Sequence, residues 1–137
     1  AATASIVLRL RVIASDGVLT STANVNVTVS KPTTNYTTDI HPIWTTNLGG
    51  VQCATCHRPG GIASFLPLAT NVGVPANAAT TYATIQAAGV INSGSSCSSL
   101  ILTMPITGGA TMPSGLFTVG DANYQAILIW LLQGAPF

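Results

Sequence analysis

The sequence predicts a mainly α domain of short helices preceded by an antiparallel β-hairpin arm. Three observations lead there. Residues 5–30 carry a period-two pattern on either side of Ser15-Asp16-Gly17, a wholly apolar and a mixed face before the turn and a clean half-buried alternation after it, which marks two strands joined by a turn. Residues 37–137 are cut by proline and glycine into short stretches with helical spacing, the clearest near the C-terminal end. Early in that second part lies Cys53-Ala54-Thr55-Cys56-His57, two cysteines two residues apart followed at once by histidine, which is the attachment signature of a c-type haem.

The spacing carries the chemistry. Each thiol can add to one haem vinyl group, leaving two thioether bonds, and the histidine after the second cysteine then sits beneath the iron as an axial ligand. Two other readings of the pair need weighing. A redox dithiol of the thioredoxin kind lies in a βαβ context, and no such pattern surrounds Cys53 and Cys56. A zinc site closes its tetrahedron with a second Cys/His pair at ligand spacing, and the one remaining cysteine, Cys97, and the one other histidine, His41, form none. The motif therefore points to one covalent haem c on Cys53, Cys56 and His57.

Composition bounds the rest. The chain has 137 residues, room for one domain plus an appendage, and charged residues make up 5% of it with no glutamate at all. A net charge of +1 supplies no basic footprint for nucleic acid and no polybasic membrane patch. No apolar run reaches the eighteen or so residues that span a bilayer, so no transmembrane span is expected. Ala1-Ala2-Thr3-Ala4 resembles the remnant of cleavage at small residues. Because haem thioethers are made outside the cytoplasm, an exported setting is expected: periplasmic, cell-surface or extracellular. Asn-x-Thr sequons at Asn26 and Asn35 would then be glycosylation candidates, although a chain this rich in Asn and Thr forms them by chance.

Taken in order, residues 1–30 form the hairpin arm. Ile6, Leu8, Leu10 and Val12 share one face with no polar member, and Ala23, Val25, Val27 and Val29 alternate with Asn24, Asn26, Thr28 and Ser30. A lone hairpin is marginal in water. Three fates are open: it packs on the rest of its chain, it belongs to a longer protein, or it completes a sheet in a neighbouring subunit by strand addition. Repeated without closure, the last would give a filament. Residues 31–36 read as a linker, opening with Lys31-Pro32. Thr38 or Asp39 would cap a short helix to about Thr46, with Pro42 tolerated in its first turn and Gly49-Gly50 ending it. Pro67, Gly73 and Pro75 predict loop over 62–80. Short helices are expected at 80–88, before Gly89, and at 97–102. Gly120-Asp121 starts the last helix, striped by Tyr124, Ile127, Leu128, Trp130, Leu131 and Leu132, and Gly134 and Pro136 stop it.

Five motifs in this order, Asp39-Ile-His-Pro-Ile43, the 53–57 haem box, Ser98-Ser-Leu-Ile-Leu102, Met112-Pro-Ser-Gly115 and Ile129-Trp-Leu-Leu-Gln-Gly-Ala-Pro136, make residues 36–137 similar to the single-haem class I cytochrome c domain. The resemblance implies a mainly α cytochrome c fold over 37–137, His/Met ligation with Met112 as the distal iron ligand, and first and last helices crossing at the haem edge. It thereby gives packing roles to Ile43, Trp44, Ile127 and Trp130, with Trp130 beside the cofactor. Residues 14–30 resemble the last two strands of immunoglobulin-like domains of bacterial surface proteins, with the earlier strands missing.

Other residues compete for roles. Met104 also precedes a proline but follows the 100–102 segment directly, so it reads as core or pocket wall. His41 would lower the potential if it replaced methionine on the iron. Arg58 is either a solvated turn residue or a partner for a haem propionate. Asp39 and Asp121 sit at helix starts, where free N–H groups favour a carboxylate. Cys97 is left over, as a free thiol or an intermolecular one.

The function expected is electron transfer by an exported cytochrome, with a redox partner protein or neighbouring haem subunits as partners and a homo-oligomer formed through residues 1–30. The alternative is a haem-bearing electron-entry domain or a peroxidase-like component of a larger surface oxidoreductase. The peroxidase form needs a distal acid–base group, and the chain has no glutamate and only one histidine besides His57.

Overall fold

The computed structural model describes residues 5–30, 33–46, 52–71, 74–109 and 111–137. Ala1–Ala4, Lys31-Pro32, Gly49-Gly50 and Gly73, to which the sequence assigned a leader remnant, a linker, a helix stop and a loop break, lie outside the described residues. The chain divides into two compact units, Ala1–Thr33 and Thr34–Phe137.

The first unit is a single antiparallel pair, β1 (Ser5–Ser15) and β2 (Thr20–Ser30). The register sets Ile6 opposite Val29, Leu8 opposite Val27, Leu10 opposite Val25 and Val12 opposite Ala23. Because side chains alternate across a strand, these eight share one face, while Arg9 and Arg11 pair with Asn26 and Asn24 on the other. The turn is held by Asp16: one carboxylate oxygen accepts from the Val18 and Leu19 amides at 2.9 and 2.7 Å. Gly17 supplies the positive φ of 93°. The second strand was expected to be half-buried, yet both strands are exposed along their whole length, since two strands make one layer with an exposed apolar face.

The second unit is built from short helices around one core. Asn35, not Thr38 or Asp39, caps the first: its Oδ1 accepts from the Thr37 and Thr38 amides, and Asp39 reaches back to accept from the Asn35 amide at 2.6 Å. This reciprocal cap starts a wide π-type turn, Tyr36–Ile40, which tightens into a 3₁₀ turn, His41–Thr45, at Pro42. The haem box forms α1 (Cys53–Cys56). A small hairpin follows, β3 (Ala69–Asn71) with β4 (Val74–Pro75), where only loop was expected.

Asn77 caps α2 (Ala78–Ala87) by accepting from the Thr80 amide at 2.8 Å, two residues ahead of the expected start. The expected 97–102 helix divides instead. Ser96–Ser98 is a 3₁₀ turn, Ser99 is extended, and α3 (Leu100–Thr107) runs through Met104-Pro105. The last helix, α4 (Ala122–Leu132), ends as its sequence predicts: Gly134 takes φ 87° and the Ala135 amide bonds back to the Trp130 carbonyl at 2.9 Å. Tyr124, Ile127, Trp130 and Leu131 are buried, whereas Leu132 of the expected stripe is 61% exposed.

The core joins Tyr36, Ile40, Ile43 and Trp44 to Ile85, Leu102, Phe117, Ile127 and Trp130. Tyr36 is fully buried, accepts from Trp44 Nε1 at 3.2 Å and donates to Thr81 Oγ1 at 2.8 Å. That network ties the first turns to α2.

The expected mainly α cytochrome c fold is corrected by this architecture. Helix accounts for 38% and strand for 21%, and the α-helices are four short segments. The physical reason lies in local sequence. Residues 5–30 carry a strand period, and Gly89, Gly108 and Gly134 follow the ends of α2, α3 and α4, none of them longer than eleven residues.

Candidate functional site

A single helical turn gathers the motif. Cys53, Cys56 and His57 stand at positions i, i+3 and i+4, which lie on one side of an α-helix. The His57 amide closes the turn on the Cys53 carbonyl at 2.9 Å. The chain then folds back sharply. The Gly61 and Ala63 amides bond to the Arg58 and Cys56 carbonyls at 2.9 and 3.2 Å, and a Cβ on Gly61 would collide with the Cys56 carbonyl oxygen. The turn therefore requires glycine there. Its return brings the Leu66 carbonyl to His57 Nδ1 at 3.0 Å, while the Leu68 and Ala69 amides both bond to the His57 carbonyl.

That contact sets the tautomer. With a carbonyl as partner, Nδ1 carries the proton and donates it, so the lone pair is on Nε2. Burial holds the imidazole below its usual pKa, with the Leu66 bond pulling the other way, so the ring is neutral at pH 7. A histidine whose second nitrogen donates to a backbone carbonyl is arranged as metal ligands usually are.

His57 and Cys53 open into a cleft of about 810 Å³, its mouth included. Its walls include Trp44, Leu66, Leu68, Val90 and Ile101, with Met104 and Met112 also lining it. Cys53 and His57 are the only titratable side chains among the described lining residues. A smaller recess shares Cys53, His57 and Met112 and adds Cys56. Phe65, 74% exposed, stands edge-on to the His57 ring with centroids 6.2 Å apart.

The cysteines are free thiols. Burial pushes the Cys53 thiol up to about 11, which keeps it protonated, the opposite of what a redox dithiol needs. Among the described residues no group of three or more His, Cys, Asp or Glu side chains converges to hold a metal ion directly. An apolar cleft with two thiols, one tautomerically fixed imidazole and thioethers on its wall does fit a flat apolar macrocycle carrying its own metal.

Of the residues singled out in the sequence, the structure brings Cys53, Cys56, His57 and Met112 together around this cleft and its recess. It does not bring Arg58 or Trp130 to the cleft lining. Arg58 Nε donates to the Thr55 carbonyl at 3.0 Å, closing its own turn. Trp130 is fully buried in the core, and its Nε1 donates to the Pro136 carbonyl at 2.7 Å. His41 also lies elsewhere, its Nε2 bonded to the Ala76 carbonyl at 2.8 Å. Cys97 is exposed. Trp44, given a packing role at the haem edge by the resemblance, does line the cleft, whereas sequence reasoning missed both the wall residues Leu66 and Leu68 and the Leu66 carbonyl as the partner of His57. The carbonyl had no signal to find, because any residue type supplies one.

No family model matches the chain, and neither a curated protein nor a solved structure matches it.

Proposed function

We propose that this chain is an electron carrier holding one haem c through thioethers at Cys53 and Cys56, with His57 and Met112 as axial ligands of the iron. The observation that carries the reading is the His57–Leu66 bond at the edge of an apolar cleft that Cys53 and Met112 also line. When bound, the haem supplies a one-electron couple at its iron. The chain's own residues do the rest. Leu66 orients the imidazole and keeps its proton on Nδ1. The apolar walls exclude water, which favours the less charged oxidation state and so raises the potential, as methionine ligation also does.

A carrier is favoured over a peroxidase-like component because the described cleft walls hold no acid–base group besides His57 itself. Export follows from the same chemistry, since the thioethers have to be made outside the cytoplasm. The partners are a redox protein or neighbouring haem subunits. We place subunit contact with further copies of the chain in residues 1–30, where seven large side chains of one apolar face are 38–66% exposed. Among the described residues, no helix is long and apolar enough to cross a membrane.

The test is expression with a haem-attachment system. Denatured chain should retain haem, Cys53→Ser and Cys56→Ser should each leave a single thioether, and the double variant should retain none. The ferric spectrum should be low-spin with a methionine–iron charge-transfer band. A chain that loses all its haem on denaturation, or a high-spin spectrum, overturns the proposal.

A further inference from the structure

The Met112 loop is bound to the helix that carries Met104. The Gly109 amide bonds to the Met112 carbonyl at 3.0 Å, the Gly115 amide to Ile106 at 3.0 Å and the Leu116 amide to Pro105 at 2.8 Å. These bonds fold the loop onto the end of α3, so the two methionines border the same cleft as His57. Gly109 stands between them: a Cβ there would overlap the Met104 methyl and lie 3.9 Å from the Met112 Cβ. Neither methionine belongs to the hydrophobic core cluster or to the apolar side chains packed against it. Both are half-buried. Their thioethers thus face the cleft without filling the interior, and a methionine side chain has three torsions with which to adjust its sulfur.

We infer that the cleft carries two interchangeable thioether ligands, Met112 in the resting state and Met104 in its place when Met112 is removed. This deepens the haem reading and rests on it. Met112 is the resting ligand because it also lines the recess shared by Cys53, Cys56 and His57, which Met104 does not reach. Met104 is the substitute because it lines the same cleft on an anchored backbone: its carbonyl accepts from the Gly108 amide at 2.8 Å, and the next residue is pinned by Leu116. Exchange of one thioether for another alters no charge and moves no proton. It leaves the low-spin state intact.

The experiment uses the haem-loaded chain as wild type, Met112→Ala, Met104→Ala and the double variant. Absorption and electron paramagnetic resonance of the ferric state are the readouts, and covalent haem content checks that each variant matures. Both single variants should keep the low-spin spectrum and the methionine–iron band, and the double variant should lose the band. Loss of the band in Met112→Ala alone overturns the inference while leaving the haem reading standing, and loss in Met104→Ala alone overturns the inference and the assignment of Met112 together. A low-spin Met112→Ala spectrum without that band also overturns it, since the sixth ligand is then His41 or hydroxide. A wild-type chain that takes up no haem overturns the haem reading and this inference together.

Discussion

At the scale of single residues, the two best-defined roles come from short-range hydrogen bonds. Leu66 selects the proton position on His57 through a backbone carbonyl nine residues away. Asp16 organises the hairpin turn by accepting two backbone amides, and those bonds, to Leu19 first and Val18 second, lower its pKa below 3.8. The consequence for pH has a definite sign. A depressed carboxylate contributes stability that is present above its unfolded pKa and is lost as pH falls through the folded one. Protection of the Val18 and Leu19 amides, taken relative to the intrinsic exchange rate at each pH, should therefore fall only below pH 3.8, and Asp16→Ala should give the same loss of protection at pH 7. An NMR titration with a midpoint at or above 3.8 contradicts this.

Among the elements, the first turns of the second unit depend on partners far along the chain. Tyr36 joins Trp44 to Thr81 by its hydroxyl, and Trp44 in turn forms part of the cleft wall. Tyr36→Phe leaves the buried Trp44 N–H without its acceptor, at a cost of about 1–3 kcal/mol, while the Thr81 hydroxyl keeps its bond to the Ala78 carbonyl. Urea unfolding followed by tryptophan fluorescence measures it, and a loss under about 0.5 kcal/mol, the scatter of neutral surface changes, counts against the network. Several elements were legible in sequence and several were not. The end of α4 was readable because Gly134 and Pro136 are local stop signals. The split at Ser99 and the passage of α3 through Pro105 were not. There the loop at 115–117 supplies amides to the Pro105 and Ile106 carbonyls, and that contact has no local signature.

For the whole molecule, the two units differ in what holds them. Thr34–Phe137 has its own core, and both tryptophans of the chain lie within it. A chain beginning at Thr34 should keep the tryptophan emission maximum and the haem uptake of the parent. The large side chains on the hairpin's apolar face are exposed, so sedimentation should show self-association of the full chain and a monomer for the shortened one. A full chain that stays monomeric into the high micromolar range, or a shortened chain that still associates, removes residues 1–30 from the assembly.

What the sequence determined by itself is whatever depends on near neighbours. The 53–57 spacing places two thiols and an imidazole on one turn, and the 5–30 alternation sorts the hairpin into an apolar and a mixed face. The tertiary structure decided what each side chain meets. It turned Arg58 onto Thr55, set Trp130 into the core, drew His41 to Ala76 and brought Met104 beside Met112 on one wall. It also replaced a mainly α expectation with a mixed architecture. The reason is that helical and strand periods are written along the chain, whereas a cleft is assembled across it from carbonyls, small residues and gaps that leave no periodic trace.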